Sequence, residues 1–192
     1  MPETSEARER VLGVAAILFR ERGYASVTMN DIAAALDVRK ASLYYHAPQG
    51  KDQLYAEVTR RMLAEVEAGV TAALDAAPPD LKAQLSALAG FYLSQPPMDA
   101  ARLFRSDLHA LPPEIAGELL EVANRAFFAP IHALLMAAVE RGEIKPVEEP
   151  HMIAVTFVTS LESLHELSGY KQKSKDKLGA ALVDLYMDGL RR

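Results

Sequence analysis

The sequence predicts an all-α protein of about nine helices, in which a small three-helix unit precedes a larger helical body. Apolar residues recur at helical spacing along almost all of the 192 residues, and no segment shows the sustained two-residue alternation of a half-buried strand. The composition is 50% apolar and 24% charged, which is typical of a soluble globular protein. We expect the boundary near Lys51, with one domain over residues 1–50 and a second over residues 51–192.

The N-terminal unit contains three short helical patterns. The first is expected over Ser5–Arg22, and the glycine that follows is placed to stop it. The second begins at Thr28, whose hydroxyl can accept from the first turn, with Asp31 in the reciprocal position of a capping box. A turn of about four residues follows. Asp37 is expected to be left-handed there, before a third helix over Lys40–His46.

Six further helices are expected in the larger body, separated by prolines and glycines. Pro130 lies inside the seventh helix of the chain, where it removes one backbone hydrogen bond and should bend that helix. Gly169 is expected to end the eighth. The predicted bounds are Asp52–Ala76, Asp80–Ser94, Asp99–His109, Pro112–Arg141, Pro150–Ser168 and Asp176–Leu190.

The apolar run Val11–Phe19 has the length of a signal-peptide core but the wrong flanks. Glu9 and Arg10 precede it, and Arg20 follows where small cleavage-site residues would be needed. No other stretch approaches the ~20 apolar residues that cross a bilayer, so we expect a cytoplasmic protein without a membrane partner. The chain has no cysteine, which excludes disulfides and thiolate chemistry.

The net charge of −5 is unevenly distributed. Residues 1–62 hold nine Lys and Arg against eight Asp and Glu, a net +1, whereas residues 63–192 hold twelve against eighteen, a net −6. An acidic protein can still bind phosphate where its basic groups cluster on one face. The slight N-terminal excess therefore permits a nucleic-acid partner without demonstrating one.

The stretch of residues 28–46 has the spacing of a helix–turn–helix, which presents its second helix to the DNA major groove. Leu43 would anchor that helix against Ile32 and Leu36. The other side chains are too polar to serve mainly as core, although one of the two tyrosines should be partly buried. These outward residues are Arg39, Lys40, Ser42, Tyr44, Tyr45 and His46. Such groups contact phosphates and base edges, but the same spacing occurs in helical proteins that never bind DNA.

The sequence of this region resembles the N-terminal DNA-binding unit of the TetR/AcrR family of bacterial transcriptional regulators. The matching stretch is GYASVTMNDIAAALDVRKASLYYHAPQGKDQLYAEV. The resemblance covers about residues 5–60. It rests on Gly23-Tyr24, on Thr28 before an Asp-Ile-Ala run, on Leu43-Tyr44-Tyr45-His46 and on Lys51.

The resemblance implies a role for each matching residue. Thr28 would hold a phosphate while capping its helix, and Lys51 would clamp phosphate at the start of the fourth helix. Tyr44, Tyr45 and His46 would lie at the DNA backbone or bases. The more variable reading positions would be Arg39, Lys40 and Ser42.

Three departures from the family pattern concern the residues that position or make the DNA contacts. Arg39 stands where the family often has a Ser that caps the third helix. Ala47 replaces a frequent Phe, which leaves a smaller anchor. Gln49-Gly50 makes the connection a residue longer than its commonest form, so the reach of Lys51 is in question.

For the larger body, the resemblance implies a ligand cavity among the fourth to seventh helices and a four-helix interface with a second subunit. The last two helices carry apolar stripes that support a homodimer. The expected interface residues are Ile153, Phe157, Leu161, Leu164, Leu178, Leu182, Leu185 and Tyr186. Two-fold symmetry would place the two recognition helices ~34–36 Å apart on a palindromic operator.

The candidate ligand residues mix large apolar groups with a few polar ones, as small-molecule sites do. They are Phe91, Phe104, His109, Phe127, Phe128, Ile131, His132, Leu135, Glu162 and His165. Each aromatic residue is more often plain core. A histidine on an apolar face needs a partner, most often a backbone carbonyl or a carboxylate. No two of the five histidines have local metal-ligand spacing, so we expect no metal and no cofactor.

These observations predict a ligand-responsive, sequence-specific DNA-binding regulator, a repressor released from its operator by a small-molecule inducer. The alternative is a helical interaction module of the same fold without specific DNA binding, which Ala47 and the slight basic excess would favour. A helical enzyme using Asp107 and His109 lacks a nucleophile, a phosphate-cradling loop and a metal cluster in the sequence, so we expect no enzyme.

Overall fold

A computed structural model describes residues 2–97, 99–171 and 174–191, with side chains described except over residues 2–5 and 166–171. Those ranges contain helices and no β-strand, which confirms the all-α prediction. The helices are α1 Pro2–Ser26, α2 Met29–Leu36, α3 Lys40–His46, α4 Lys51–Ala76, α5 Leu81–Ser94, α6 over residues 100–110, α7 Pro113–Glu140, α8 Pro150–Lys171 and α9 Lys175–Leu190.

The chain forms two compact units. The first unit comprises the chain to Leu63 together with Ala101–Val122, and the second comprises Ala64–Ala100 and the chain from Ala123 onward. This division by packing differs from the predicted domains over residues 1–50 and 51–192, because α4 runs on without a break and residues of α6 and α7 pack with the N-terminal helices. The predicted domains, which divide the chain by function, stay a prediction.

The first unit is built on the apolar stripe of α1. The side chains of Val11, Leu12, Ala15, Leu18 and Phe19 are buried, at the spacing that the sequence predicts. Two ion pairs join α1 to α4, and a third lies along α4. Arg8 Nη1 donates to Glu57 at 2.7 Å, and Arg61 donates to Glu9 at 2.6 Å and to Glu57 at 3.0 Å.

Gly23 interrupts α1 with a φ of 76°. A left-handed residue of this kind is the predicted stop, although helical hydrogen bonding resumes as far as Ser26. A Cβ added at Gly23 would lie 3.2 Å from Arg102 Cδ. Both the backbone angle and the close approach of Arg102 therefore favour glycine at this position.

Helices α6 and α7 each contain a π-helical turn, over Leu103–Asp107 and Asn124–Phe128 respectively. The second turn directly precedes Pro130. Proline has no N–H to donate to the carbonyl four residues earlier, and its ring crowds that carbonyl, so the helix widens locally. The structure thus shows a wider turn just before Pro130, and the bend expected at Pro130 stays a prediction.

By length and composition alone, α7 is long and apolar enough to cross a membrane, with a mean hydropathy of 1.4 in its most apolar window. The expectation that no stretch approaches such a length is therefore wrong. The core helix of a soluble protein passes the same test, so the observation is weak evidence for a membrane span. Phe127, Ile131 and Leu135 of α7 are each 1% exposed within this chain.

The second unit packs α5, α8 and α9 closely together. A Cβ added at Gly179 of α9 would lie 2.7 Å from Leu93 Cδ1 of α5, so glycine allows this approach. Helix α8 does not end at Gly169 as predicted but continues to Lys171, since a glycine costs only ~1 kcal/mol inside a helix. Ser174 caps α9 by accepting from Lys177 N, and residues 172–173 of the predicted connector lie outside the described residues.

Candidate nucleic-acid interface

The start of α2 is fixed by a complete capping box. Asp31 N donates to Thr28 Oγ1 at 3.2 Å, and Thr28 N donates to Asp31 Oδ2 at 2.8 Å. The Thr28 hydroxyl also donates to Asp31 Oδ2 at 2.6 Å. These bonds from Thr28 hold the pKa of the Asp31 carboxyl below its ordinary value. The predicted cap is confirmed, and a phosphate contact by Thr28 would require its hydroxyl to turn away from Asp31.

The turn after α2 has the predicted left-handed residue. Asp37 has a φ of 55°, its N–H donates to Ala34 O at 3.2 Å, and Val38 N donates to Ala33 O at 3.0 Å. The last carbonyls of α2 are thereby satisfied by the turn itself. At the next helix start, Arg39 provides no side-chain cap to α3, so its guanidinium is not committed to capping.

The exposed surface of α3 is polar and basic. Leu43 is fully buried, as is Ile32 of α2, whereas the predicted contact Leu36 is half-buried. The residues exposed around Leu43 are Arg39, Lys40, Ser42, Tyr44 and Tyr45, and His46 is half-buried. One buried anchor therefore orients a helix whose other named side chains face solvent.

The two tyrosines of α3 are both exposed, Tyr44 at 43% and Tyr45 at 74%. Tyr44 is the less exposed of the two, and only it approaches the partly buried position expected for one tyrosine. Its ring lies beside Gly50, where an added Cβ would be 3.7 Å from Tyr44 Cε1. The Tyr45 ring meets His46 edge to face at 5.3 Å. Aromatic groups this exposed are available to a partner.

The connection after α3 is an ordered turn. Ala47 is completely buried, so the smaller anchor still packs against the core. Gly50 has a φ of 76°, and its N–H donates to Ala47 O at 2.9 Å. Gln49 N donates to Gln53 Oε1 at 3.0 Å. These bonds fix the start of α4 despite the longer connection.

Lys51 is held at the start of α4 by Tyr24. Its Nζ donates to Tyr24 O at 3.0 Å and lies 3.9 Å from the centre of the Tyr24 ring. The Tyr24 hydroxyl donates to Asp52 Oδ1 at 2.6 Å, and burial together with this bond raises its pKa. Lys51 thus satisfies the backbone carbonyl of Tyr24. A phosphate contact by Lys51 would be made in addition to this hydrogen bond or in its place.

A buried carboxylate that the sequence did not connect to this region supports the first unit. Asp107 of α6 is 4% exposed and accepts from Tyr24 N at 3.2 Å and from the Tyr55 hydroxyl at 2.9 Å. Arg102 Nε lies 3.6 Å from Asp107 Oδ2 and Arg102 Nη2 donates to Arg20 O at 2.8 Å. Asp107 therefore has structural partners on α1, α4 and α6.

The ligand residues predicted from the sequence fall in both units. Phe104 and His109 belong to the first unit, where Phe104 is half-buried and His109 is exposed. In the second unit, Phe91 covers Gly69 and His132 is half-buried. The buried members of the second unit are Phe127, Phe128, Ile131 and Leu135.

The polar ligand candidates have partners inside the second unit. Both carboxylate oxygens of Glu162 accept from Ala100 N, at 2.9 and 3.1 Å. His165 Nε2 lies 3.3 Å from Tyr92 O, and its Nδ1 lies 3.0 Å from Lys175 Nζ. Burial and the Lys175 charge lower the pKa of His165, which matches a neutral ring that donates through Nε2. A backbone carbonyl is therefore a partner of His165, as expected for a structural histidine.

The predicted dimer residues differ in what they offer a second chain. Phe157 and Leu161 are buried within this chain, so they have little surface to contribute. Leu185 is 68% exposed, and Met152, which the sequence did not single out, is 59% exposed. The half-buried members are Ile153, Leu164, Leu178, Leu182 and Tyr186.

Comparison with known proteins finds sequence similarity in the N-terminal region. Residues 11–58 match the family model described as bacterial regulatory proteins, tetR family. The HTH-type transcriptional regulator LmrA of Bacillus subtilis is 40% identical over 57 residues, which are 30% of each chain. The negative regulator IcaR of the icaADBC biofilm operon in Staphylococcus epidermidis is 38% identical over 48 residues, 25% of each chain. The chain thus matches less than a third of the length of these relatives.

Solved structures share the fold over nearly the whole chain. A bacterial regulatory protein in the tetR family from Rhodococcus RHA1 has a TM-score of 0.78 at 20% identity and covers 96% of this chain and 97% of its own. AibR, solved in complex with isovaleryl coenzyme A and operator DNA, has a TM-score of 0.73 at 21% identity and covers 95% and 97%. At these identities the likeness shows a common fold.

Proposed function

We propose that this chain, whose residues 11–58 belong to the tetR family of bacterial regulatory proteins, is a cytoplasmic, ligand-responsive transcriptional regulator that binds specific DNA. The observation that carries the proposal is the surface of α3. A short helix is anchored by one buried leucine, Leu43, while its remaining named side chains turn polar and basic groups outward. That arrangement fits a helix lying in the DNA major groove.

DNA contacts are proposed for the residues at the two helix starts and on the outer side of α3. Arg39, Lys40 and Ser42 would read base edges or hold phosphates, since Arg39 is not used as a cap. Tyr44, Tyr45 and His46 would contact the backbone or bases. Thr28 and Lys51 would hold phosphate on either side, in addition to their internal bonds.

A homodimer is proposed for the operator-bound form. Two recognition helices related by a two-fold axis read half-sites about one helical turn apart, ~34–36 Å. The exposed Leu185 of α9 and Met152 of α8 extend the predicted interface beyond the residues already buried in one chain. Apolar groups this exposed on neighbouring helices fit burial against a second copy.

We propose that a small molecule bound in the second unit releases the repressor from its operator. The ligand shifts the population only if it binds a state with a different separation of the recognition helices more tightly than the DNA-competent state. Helix α4 carries residues of both units and is the proposed lever. The proposed ligand residues are Phe91, Phe127, Phe128, Ile131, His132, Leu135, Glu162 and His165.

The test is selection of duplexes from a random-sequence pool, followed by titration of the selected duplex and a scrambled one at several salt concentrations. A regulator binds the selected duplex more tightly by a factor of about 10³ or more, with a steep salt dependence. Equal binding to both duplexes, or binding to neither, would instead support a helical interaction module of the same fold.

A further inference from the structure

Tyr92 is a buried polar side chain that the proposed DNA contacts and the ligand residues do not include. It lies on α5 in the second unit and is 2% exposed. Among the described residues, its hydroxyl has no hydrogen-bond partner. Buried tyrosine hydroxyls usually find a partner, because an unpaired donor in a protein interior is unfavourable. The hydroxyl therefore requires an explanation.

The surroundings of Tyr92 are aromatic. Its ring lies 5.4 Å from that of Phe91 and stacks at 6.4 Å on Phe127, two of the residues proposed for the ligand site. The backbone carbonyl of Tyr92 is a partner of His165, a third. The ring and the carbonyl of Tyr92 thus contact three of the proposed ligand residues, whereas its hydroxyl is hydrogen-bonded to none of the three.

Glu162 lies on the face of α8 that meets Tyr92, because it is three residues before His165, whose Nε2 is 3.3 Å from Tyr92 O. Burial raises the pKa of Tyr92, and the Glu162 carboxylate raises it further, so the hydroxyl remains protonated and can donate. Lys175 is directed to other groups, with its Nζ 3.0 Å from His165 Nδ1 and 3.4 Å from Leu93 O. A negative charge near the hydroxyl opposes a second anion at the same place.

We propose that the Tyr92 hydroxyl is the polar recognition point for the effector, and that it selects a largely apolar, uncharged molecule carrying one hydrogen-bond acceptor. An ester, a ketone or an alcohol meets this description, and the aromatic neighbours Phe91 and Phe127 fit its apolar part. A carboxylate of the same size is disfavoured by Glu162. The inference rests on the proposed ligand response and names the chemical class that causes it.

The test uses the full chain and two probe series that differ only in the polar group. The linear series is methyl decanoate, decanol, decanoate and decane, and the ring series is acetonaphthone, naphthoate and naphthalene, each below its aggregation concentration. Binding is measured by titration calorimetry and by thermal unfolding, without DNA. Tyr92→Phe removes the hydroxyl alone, and Tyr24→Phe is the control, because it removes a tyrosine hydroxyl of the first unit that donates to Asp52.

We expect the uncharged acceptor in at least one series to bind and to raise Tm, at least tenfold more tightly than the carboxylate or the hydrocarbon. Tyr92→Phe weakens that binding about tenfold, to the level of the hydrocarbon, while Tyr24→Phe binds the probe as the wild type does. Without ligand, Tyr92→Phe raises Tm by about 2–4 °C, since an unpaired buried hydroxyl is removed.

Four results would overturn the inference: carboxylates that bind as tightly as esters, Tyr92→Phe that binds as the wild type does, no binding by any probe, or a lower Tm for ligand-free Tyr92→Phe. The last would show that solvent already satisfies the hydroxyl. Operator release is measured separately with the same probes. A probe that binds through Tyr92 but leaves operator affinity unchanged contradicts the proposed function and supports the recognition by Tyr92.

Discussion

The proposed DNA surface on α3 and the proposed ligand region around α5 and α8 differ in how their polar side chains are bonded. On α3, polar groups are exposed and their position is set by backbone turns and one buried anchor, Leu43. Around α5 and α8, polar groups such as Glu162 and His165 are half-buried and are bonded to backbone groups of other segments. A DNA surface must offer unsatisfied groups to phosphates and bases, whereas a ligand site must keep nearly all of its polar groups satisfied in the interior.

A helix of seven residues such as α3 is too short to be stable alone. Its order comes from Leu43 below it and from the bonded turns on either side of it. Substitutions beneath α3 should therefore disrupt the fold and DNA binding together. Substitutions on its outer surface should affect DNA binding alone.

The largest effect is expected for Leu43→Ala. Removing a fully buried leucine should cost about 4 kcal/mol of unfolding free energy and abolish specific DNA binding, because α3 loses its anchor. Urea unfolding measures the loss. The matched control Leu120→Ala, at a leucine that is 50% exposed, should change stability by about 0.5 kcal/mol or less. Similar losses in the two variants would contradict the anchoring role of Leu43.

Asp107→Ala should have the next largest effect. It leaves the Tyr24 amide, the Tyr55 hydroxyl and Arg102 without their common buried acceptor, and should cost about 3 kcal/mol of unfolding free energy. Thermal unfolding compares it with Glu148→Ala, a change at an exposed loop carboxylate that should have little effect. If Asp107→Ala unfolded like Glu148→Ala, the carboxylate would not support the first unit.

Tyr45→Ala separates binding from folding. Because the side chain is 74% exposed, its loss should leave Tm within about 1 °C. Loss of its contact with DNA should weaken operator binding by about 1–3 kcal/mol. Fluorescence titration on the selected duplex measures the second quantity, and Leu120→Ala removes an exposed apolar side chain that belongs to neither the proposed DNA contacts nor the proposed dimer interface. An unchanged affinity for both Tyr45→Ala and His46→Ala would refute the site assignment.

The smallest effect is a pH dependence from His165 in the second unit. Its pKa is lowered on folding by burial and by Lys175, so the unfolded chain binds the proton more readily. Stability should therefore be unaffected by this group above about pH 6.5 and should fall as the pH drops below that value. Denaturant unfolding of the wild type and of His165→Gln gives the difference. Parallel pH profiles for the two proteins would contradict it.

The parts of the fold that could be predicted from the sequence depend on neighbours along the chain. The bonds between Thr28 and Asp31 span three residues, and Asp37 closes the helix that it follows. The effect of Pro130 is equally local, since it acts on one turn of its own helix.

The parts that could not be predicted join distant segments. Lys51 meets a carbonyl 27 residues away, and Asp107 meets the Tyr24 amide 83 residues away. No periodicity distinguishes Asp107 from an exposed carboxylate, or Tyr92 from any other aromatic core residue. The structure of α3 was therefore accessible from its sequence, whereas the environments of Asp107 and Tyr92 required the tertiary fold.

The central claim is that α3 contacts DNA, and the salt dependence of operator binding tests it most directly. The slope of log Kobs against log salt would be compared for the wild type, Arg39→Ala and Lys82→Ala, where Lys82 is an exposed cation of the second unit paired with Asp184. If α3 contacts the operator, Arg39→Ala lowers the magnitude of the slope by about one for each bound subunit, and Lys82→Ala leaves it unchanged. Equal slopes for all three proteins would contradict the account.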